Sequence, residues 1–118
     1  MFPNPPALTD RSRVYDLKAR LDWGEPALTI VDSRDRIQFN TEHIMGAVAM
    51  PLETLVSMAQ ANLEVDRDIY IYGETDDETA EAAAKLRTAG YLNVSELRGG
   101  LSAWKAVGYP TESITAAA

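Results

Sequence analysis

Short apolar runs alternate with helix-like segments along most of this chain, and this alternation constrains its fold more than any other feature. Four runs are predicted to be strands, and the first has the β-branched, apolar character of a buried parallel strand. They are ALTIVDS at 27–33, GAVAM at 46–50, DIYIYG at 68–73 and VSEL at 94–97. Each is followed by a segment whose pattern predicts a helix, at 35–44, 51–63, 77–90 and 100–108. Strands that alternate with helices predict an α/β fold with a mostly parallel sheet covered by helices on both faces.

Two helices carry clear boundary signals. The first is predicted within residues 7–24, with Asp10 or Ser12 as its N-cap and Gly24 as its stop. Its apolar face is expected to hold Val14, Leu17 and Leu21. The second, at 77–90, is rich in alanine and stops at Gly90. Its expected packing residues are Ala80, Ala83, Ala84 and Leu86.

The ends of the chain predict little regular structure. Three prolines fall within the first six residues, so we expect residues 1–9 to form an extended arm. The segment TESITAAA, which begins at Thr111, is typical of a frayed tail. We therefore expect one domain over residues 10–114, with the tail proper over 115–118.

Composition excludes several classes of function. The net charge is −7 and the sequence pI about 4.6, so binding to nucleic acid or to an anionic membrane is not expected. No apolar run reaches the roughly 18 residues that span a bilayer, and no secretory signal is recognisable. The sequence contains no cysteine, which excludes disulfides, thiolate catalysis and Cys-based zinc sites. We expect a cytoplasmic protein that needs no cofactor; its oligomeric state stays undetermined.

The turn after the third strand is the best candidate site, because ligands of parallel sheets bind outside the carboxyl ends of the strands. It reads Gly73, Glu74, Thr75, Asp76, Asp77, Glu78, with four carboxylates and no basic residue. Thr75 and Glu78 match a capping box, and Asp76 and Asp77 are alternative caps. The acids could instead form a recognition surface. A calcium site fits poorly, because the segment ETDDET lacks the glycine that such loops need at their bend.

Two longer blocks resemble a known family. The segment IVDSRDRIQFNTEHIMGAVAMP, residues 30–51, is similar to the first rhodanese signature. The segment SELRGGLSAWKAVGYP, residues 95–110, is similar to the closing signature. Together the blocks extend the resemblance over roughly residues 12–112. The resemblance implies a rhodanese-like domain with a central five-stranded sheet, and the strand still to be placed is expected near Leu8.

The resemblance also implies that the turn lacks the groups that active members of the family use there. Active members carry a cysteine at the position of Gly73, which becomes a persulfide, and often an arginine at the position of Glu78. Backbone N–H groups and the helix N-terminus hold the anion there. Here the nucleophile is missing and the charge is inverted, so thiosulfate sulfurtransferase activity is not expected. Asp32 and Arg34 resemble the acid and arginine of the first signature.

The remaining polar residues suggest supporting roles. His43, the only histidine, is expected to be structural, and no Gly-x-Ser-x-Gly elbow surrounds Ser33. Gly99-Gly100 is expected to allow a tight turn, and Trp104 to lie in the core. Arg98, like Arg34, could moderate the charge of the acidic turn.

Two classes of function remain open on sequence grounds. The preferred one is a non-catalytic module that binds or regulates a protein partner with a basic surface. The alternatives are a small-molecule-binding domain, an enzyme that uses another group, or an accessory domain whose thiol comes from a partner.

Overall fold

The computed structural model describes residues 8–24 and 27–114. Within them the helices are α1 (Val14–Trp23), α2 (Arg36–Thr41), α3 (Leu55–Asn62), α4 (Asp76–Thr88) and α5 (Gly100–Ala106). The strands are β1 (Arg11–Ser12), β2 (Leu28–Asp32), β3 (His43–Ile44), β4 (Val48–Ala49), β5 (Asp68–Tyr72), β6 (Asn93–Leu97) and β7 (Thr111–Glu112). A 3₁₀ turn at Leu52–Thr54 leads into α3. No helix in these ranges is long and apolar enough to cross a bilayer.

Five parallel strands form the central sheet in the order β1-β6-β5-β2-β4, which confirms the predicted α/β architecture. The strand β5 is central, and its side chains alternate between two buried clusters. Ile69 and Ile71 pack with α3 and α4, whereas Tyr70 and Tyr72 pack with α1 and α5. Trp104 lies in the second cluster and is buried, as predicted. Helices therefore cover both faces of the sheet, so its loops gather at its two ends.

The start of the domain differs from the prediction. Neither Asp10 nor Ser12 caps α1; the N-cap is Arg13, whose N–H donates to Asp16 at 2.9 Å. Ser12 is instead in β1, the fifth strand, which lies a few residues beyond the position expected for it near Leu8. The reason is long-range pairing, because β1 runs parallel to β6 and extends the sheet.

The buried face of α1 also differs. Val14 and Leu17 are buried as predicted, but Leu21 is 37 % exposed. Arg20 takes the interior position at 5 % exposure, because its guanidinium donates to Asp68 at 2.8 Å and to the Tyr70 hydroxyl at 3.3 Å. Gly24 ends the helix with a φ of 85°, as predicted.

Two other segments are corrected. His43 and Ile44 were expected in a helix, and Thr111 and Glu112 in a frayed tail. They form the antiparallel pair β3 and β7, which a short local pattern does not reveal. In α4 the buried residues are Thr79, Ala82, Ala83 and Leu86, whereas Ala84 is exposed. The predicted arm falls mostly, and the tail at 115–118 entirely, outside the described residues.

Candidate functional site

The acidic turn lies at the carboxyl end of β5, as predicted, beside the loop that follows β2. The N–H of Ser33 donates to the carbonyl of Tyr72 at 2.9 Å, and the Ser33 hydroxyl donates to the same oxygen at 3.2 Å. On the other side Gly100 lies close to Gly73. A Cβ added to Gly100 would be 3.4 Å from the Gly73 carbonyl oxygen. Three loops therefore meet at one edge of the sheet.

Gly73 fills a closely packed position. Its N–H donates to the Thr79 hydroxyl at 2.8 Å, and that hydroxyl donates to the Thr75 carbonyl at 2.9 Å. A Cβ added to Gly73 would lie 3.2 Å from the Glu78 Cβ, 3.2 Å from the Ser33 Oγ and 3.3 Å from the Thr79 nitrogen. The space beside the backbone is thus already taken by the side chains of this chain.

Thr75 is the N-cap of α4, as the capping box predicts. Its Oγ1 accepts the N–H of Glu78 at 3.1 Å. The second half of the box differs, because Glu78 accepts the N–H of Glu74 at 3.2 Å rather than that of Thr75. The carboxylate thereby takes a loop amide that would otherwise be available to an anion.

Asp76 and Asp77 do not cap the helix. Asp76 accepts the N–H of Gly99 at 2.9 Å and pairs with Arg98 at 3.3 Å, so it fastens the acidic turn to the loop before α5. Asp77 is exposed, and within the described residues its carboxylate accepts no hydrogen bond. The two neighbouring acids therefore differ in role, although the sequence gives them the same pattern.

Asp32 and Arg34 brace the loop after β2. Asp32 is 0 % exposed and receives the Arg34 guanidinium at 2.8 Å and 3.1 Å, together with the Arg34 backbone N–H at 2.9 Å. Arg34 also donates to the Glu42 carbonyl at 2.7 Å. Burial lowers the pKa of Arg34, but the hydrogen bond and charge of Asp32 outweigh it and raise that pKa above the usual value of arginine. This guanidinium therefore stays charged and paired with the Asp32 carboxylate.

Arg34 also lies between the buried core and the acidic turn. Its guanidinium stands 5.6 Å from the ring centre of Tyr72, whose hydroxyl accepts the Ile44 N–H at 3.0 Å. Burial, followed by the nearby Asp32 charge, raises the pKa of Tyr72, so this hydroxyl stays protonated. On the outer side the Arg34 Nη1 is 3.9 Å from the Glu74 carboxylate. Glu74 also accepts a hydrogen bond from Gln38 at 3.0 Å.

His43 has a structural place. Its ring stacks on Phe39 with 3.8 Å between centres, and Nδ1 lies 2.7 Å from the Phe39 carbonyl. Its Nε2 lies 3.1 Å from Glu112. The Gly46 N–H and then His43 lower the pKa of Glu112 below its usual value. These contacts hold β3 against β7, and both ring nitrogens of His43 are taken up by them.

The open space at the turn is small. A cleft of about 160 Å³ lies between residues 73–76 and Gly99-Gly100, whereas pockets for small molecules measure about 300–1,000 Å³. Among the described residues no cluster of acids and His43 could hold a metal ion.

The sequence analysis did not identify Thr79 and Gln38 as members of this site. The four-residue step from Thr75 to Thr79, one helical turn, was the available signal for the first.

Comparisons with known proteins agree with this geometry. The family model of the rhodanese-like domain matches residues 14–107. The crystal structure of the Alr3790 protein from Anabaena sp. is 58 % identical, with a TM-score of 0.86, and covers 87 % of this chain and 92 % of that one.

Two curated relatives also match. An uncharacterized protein from Synechocystis sp. is 33 % identical over 87 residues, which are 74 % of this chain and 48 % of that protein. A probable adenylyltransferase/sulfurtransferase, MoeZ, from Mycobacterium tuberculosis is 34 % identical over 91 residues, which are 75 % and 23 % of the two chains. The chain thus spans about half the length of the first and about a quarter of the second.

Proposed function

The chain belongs to the rhodanese-like domain family, and we propose that it is a non-catalytic member that recognises or regulates a protein partner. The observation that carries this proposal is the occupied turn. The resemblance to the family implies that Gly73 stands where active relatives have their cysteine, and Glu78, Ser33 and Thr79 lie closely around this position.

Sulfur transfer by the family chemistry needs a thiolate that attacks the donor and carries the persulfide. This sequence has no cysteine to take that role. The position where relatives often have an arginine is Glu78, and its carboxylate accepts the Glu74 amide at 3.2 Å. A substrate anion would therefore meet a carboxylate where it needs donors, and like charges repel it.

The same carboxylates favour a basic partner. The Glu74 side chain is 52 % exposed, that of Asp76 is 39 % exposed, and Asp77 and Glu78 are also exposed. Arg98 offsets part of this charge, and Arg34, which is paired with Asp32, also lies 3.9 Å from the Glu74 carboxylate. An acidic surface steers Lys- and Arg-rich surfaces and disfavours acidic ones.

The catalytic half of the proposal is tested by a thiosulfate:cyanide sulfurtransferase assay. We expect no turnover above the buffer background. Turnover that is abolished by a substitution within residues 73–78 would overturn the proposal. Turnover that appears only when a partner with a free cysteine is added would instead support a thiol supplied in trans.

The recognition half is tested by charge reversal with a matched control. Glu74→Lys/Asp77→Lys, which changes the two acids whose side chains accept no backbone N–H from the described residues, should lose partners that wild type retains in cross-linked pull-downs from the native organism, and the loss should resemble that caused by raised salt. Glu64→Lys/Asp66→Lys changes the charge equally, at exposed residues just before β5, on the opposite edge. Exposed charges are screened within about 8–10 Å at physiological salt, so salt-independent capture would contradict an acidic interface.

A further inference from the structure

A groove leads away from the acidic turn across the helical face of the domain. One hollow, of about 260 Å³, lies between the loop after β2 and the first turn of α4, and Glu78 is on its wall. A second hollow, of about 870 Å³, lies between α3 and α4. Leu52, Glu53 and Glu81 line both hollows, so the two adjoin and together form the groove.

The chemistry of the groove changes along its length. Asp35, Glu53, Glu78 and Glu81 line the end near the acidic turn, together with Arg34, whose charge is paired with Asp32. The middle and far part carries apolar or small side chains, namely Leu52, Val56, Ser57, Ala84 and Ala89. Lys85 lines the same far part. The charge thus runs from negative beside the turn to positive towards the end of α4.

We propose that this groove holds an amphipathic helical segment of the protein partner, with Lys or Arg side chains over Glu53, Glu78 and Glu81 and an apolar face over Val56 and Ala84. The inference rests on the proposed function, because it continues the acidic surface of the turn. It goes further by naming the surface and the kind of segment that binds there.

Three features of the groove select a helix of this kind. Its walls are two helices, and an apolar helical face packs into such a groove through anchors three and four residues apart. The small side chains of Ser57, Ala84 and Ala89 allow a close approach. From Glu78 to Thr88 the rise along α4 is about 15 Å, which matches about ten residues of a bound helix.

Charge also distinguishes between possible occupants. A second copy of this chain would bring a net charge of −7 to a mouth lined by three glutamates. Such an approach is repulsive, whereas a basic segment is attracted. We therefore expect the basic residues of the bound helix at the end that lies beside the acidic turn. Its apolar residues should lie over the middle and far part of the groove.

The experiment titrates the ¹⁵N-labelled full chain with a synthetic helical peptide of Leu and Lys, about 14 residues long. A peptide with Glu in place of each Lys is the matched ligand control. We expect saturable shifts of the amides of Val56, Gln60, Ala84 and Thr88 with the Lys peptide only. Higher salt should weaken the binding.

Two variants with equal charge separate the groove from non-specific attraction. Ala84→Arg places a long cation at an exposed position in the groove, whereas Ala106→Arg places it on α5, across the sheet. We expect Ala84→Arg to raise the Kd at least about tenfold and Ala106→Arg to change it less than about twofold.

Several results would overturn the groove proposal. They are equal effects of Ala84→Arg and Ala106→Arg, shifts confined to the turn, equal binding of the Glu peptide, absence of saturable binding, or shifts that depend on protein concentration without peptide. The last would show a second copy as the occupant. Shifts confined to the turn, together with loss of partner capture by Glu74→Lys/Asp77→Lys, would reject the groove and leave the proposed function standing. Retained capture by that double variant would reject the proposed function itself.

Discussion

Replacing Gly73 by cysteine places a thiol where the resemblance to the family implies a nucleophile, but not in the same surroundings, and the structure sets what the new thiol would meet. The added Cβ would lie 3.2 Å from the Ser33 Oγ, 3.2 Å from the Glu78 Cβ and 3.3 Å from the Thr79 nitrogen. Of these neighbours only the Ser33 Oγ can move by side-chain rotation, because the Glu78 Cβ is fixed by the helix backbone and the Thr79 nitrogen is part of it. Overpacking of this kind costs about 1–3 kcal/mol, so we expect a folded variant with a moderately lowered free energy of unfolding.

The electrostatic effect on the new thiol follows from Glu78. Its carboxylate takes the Glu74 amide, one of the donors that would stabilise a thiolate. At a separation of about 6 Å and an effective dielectric constant of about 20–40, any carboxylate costs a thiolate about 1–3 kcal/mol. That corresponds to a rise of about 1–2 units from the usual thiol pKa of about 8.5. We therefore expect little thiolate at neutral pH and little thiosulfate turnover from Gly73→Cys.

The pH dependence of iodoacetamide alkylation measures this pKa directly, because the natural sequence has no other cysteine. Ala106→Cys, at an exposed position of α5, is the reference thiol. Adding Glu78→Gln to Gly73→Cys should lower the thiol pKa by about one unit. A pKa of Gly73→Cys well below that of the reference, or strong sulfurtransferase activity of this single variant, would refute the reasoning.

Three further predictions concern the contributions of Thr75, Asp76 and Glu112 to stability. Thr75→Ala removes the N-cap of α4 and should lower the free energy of unfolding by about 1 kcal/mol in urea melts, against at most about 0.5 kcal/mol for Asp77→Ala; equal losses would show that Thr75 is not the cap. Asp76→Ala should speed hydrogen exchange at the Gly99 amide about tenfold or more, because its carboxylate acceptor is lost; unchanged exchange would mean that the bond is not formed in solution. The pKa of Glu112 is lowered by folding, so its contribution is present above the unfolded pKa of about 4.3 and is lost as pH falls through the lowered value. The stability gap between wild type and Glu112→Gln should therefore narrow from about pH 6 to about pH 3, and a constant gap would contradict this.

The elements that the sequence predicts well are those whose signals are local. The strands β2, β5 and β6 have five residues each, and β2 and β5 are rich in apolar and aromatic side chains; α4 carries both a cap and an alanine-rich interior. The resemblance of two sequence blocks then placed these elements in one family fold. Gly24 and Gly90 marked helix ends because both need a positive φ, which glycine adopts without strain.

The elements that it missed are set by distant partners. The strand β1 has two residues and exists because it pairs with Glu96 and Leu97, more than eighty residues later. The pair β3 and β7 joins residues 43–44 to residues 111–112. A two-residue strand carries too few side chains for an alternating pattern, so no local signal separates it from a helix end or a tail.

The same limit applies within the candidate site. The capping role of Thr75 was predictable because a cap and its donor are three residues apart. Asp76 and Asp77 are adjacent acids in the same first turn, and local chemistry makes them equivalent. Only the fold brings Gly99 to Asp76, across 23 positions, and leaves Asp77 exposed.

The four acids of the turn therefore fall into two pairs. Asp76 and Glu78 contribute to stability, whereas Glu74 and Asp77 are available for recognition. Glu78 and Asp76 accept backbone N–H groups that the loop would otherwise present to an anion or to water. Asp77 makes no such contact, and Glu74 meets solvent beside Gln38. A substitution of Asp77 or Glu74 should thus change the surface charge at little cost in stability. For a partner that binds through the charge of this turn, substitutions of Glu74 and Asp77 should weaken binding without changing the fold. Substitutions of Glu78 would change binding and stability together.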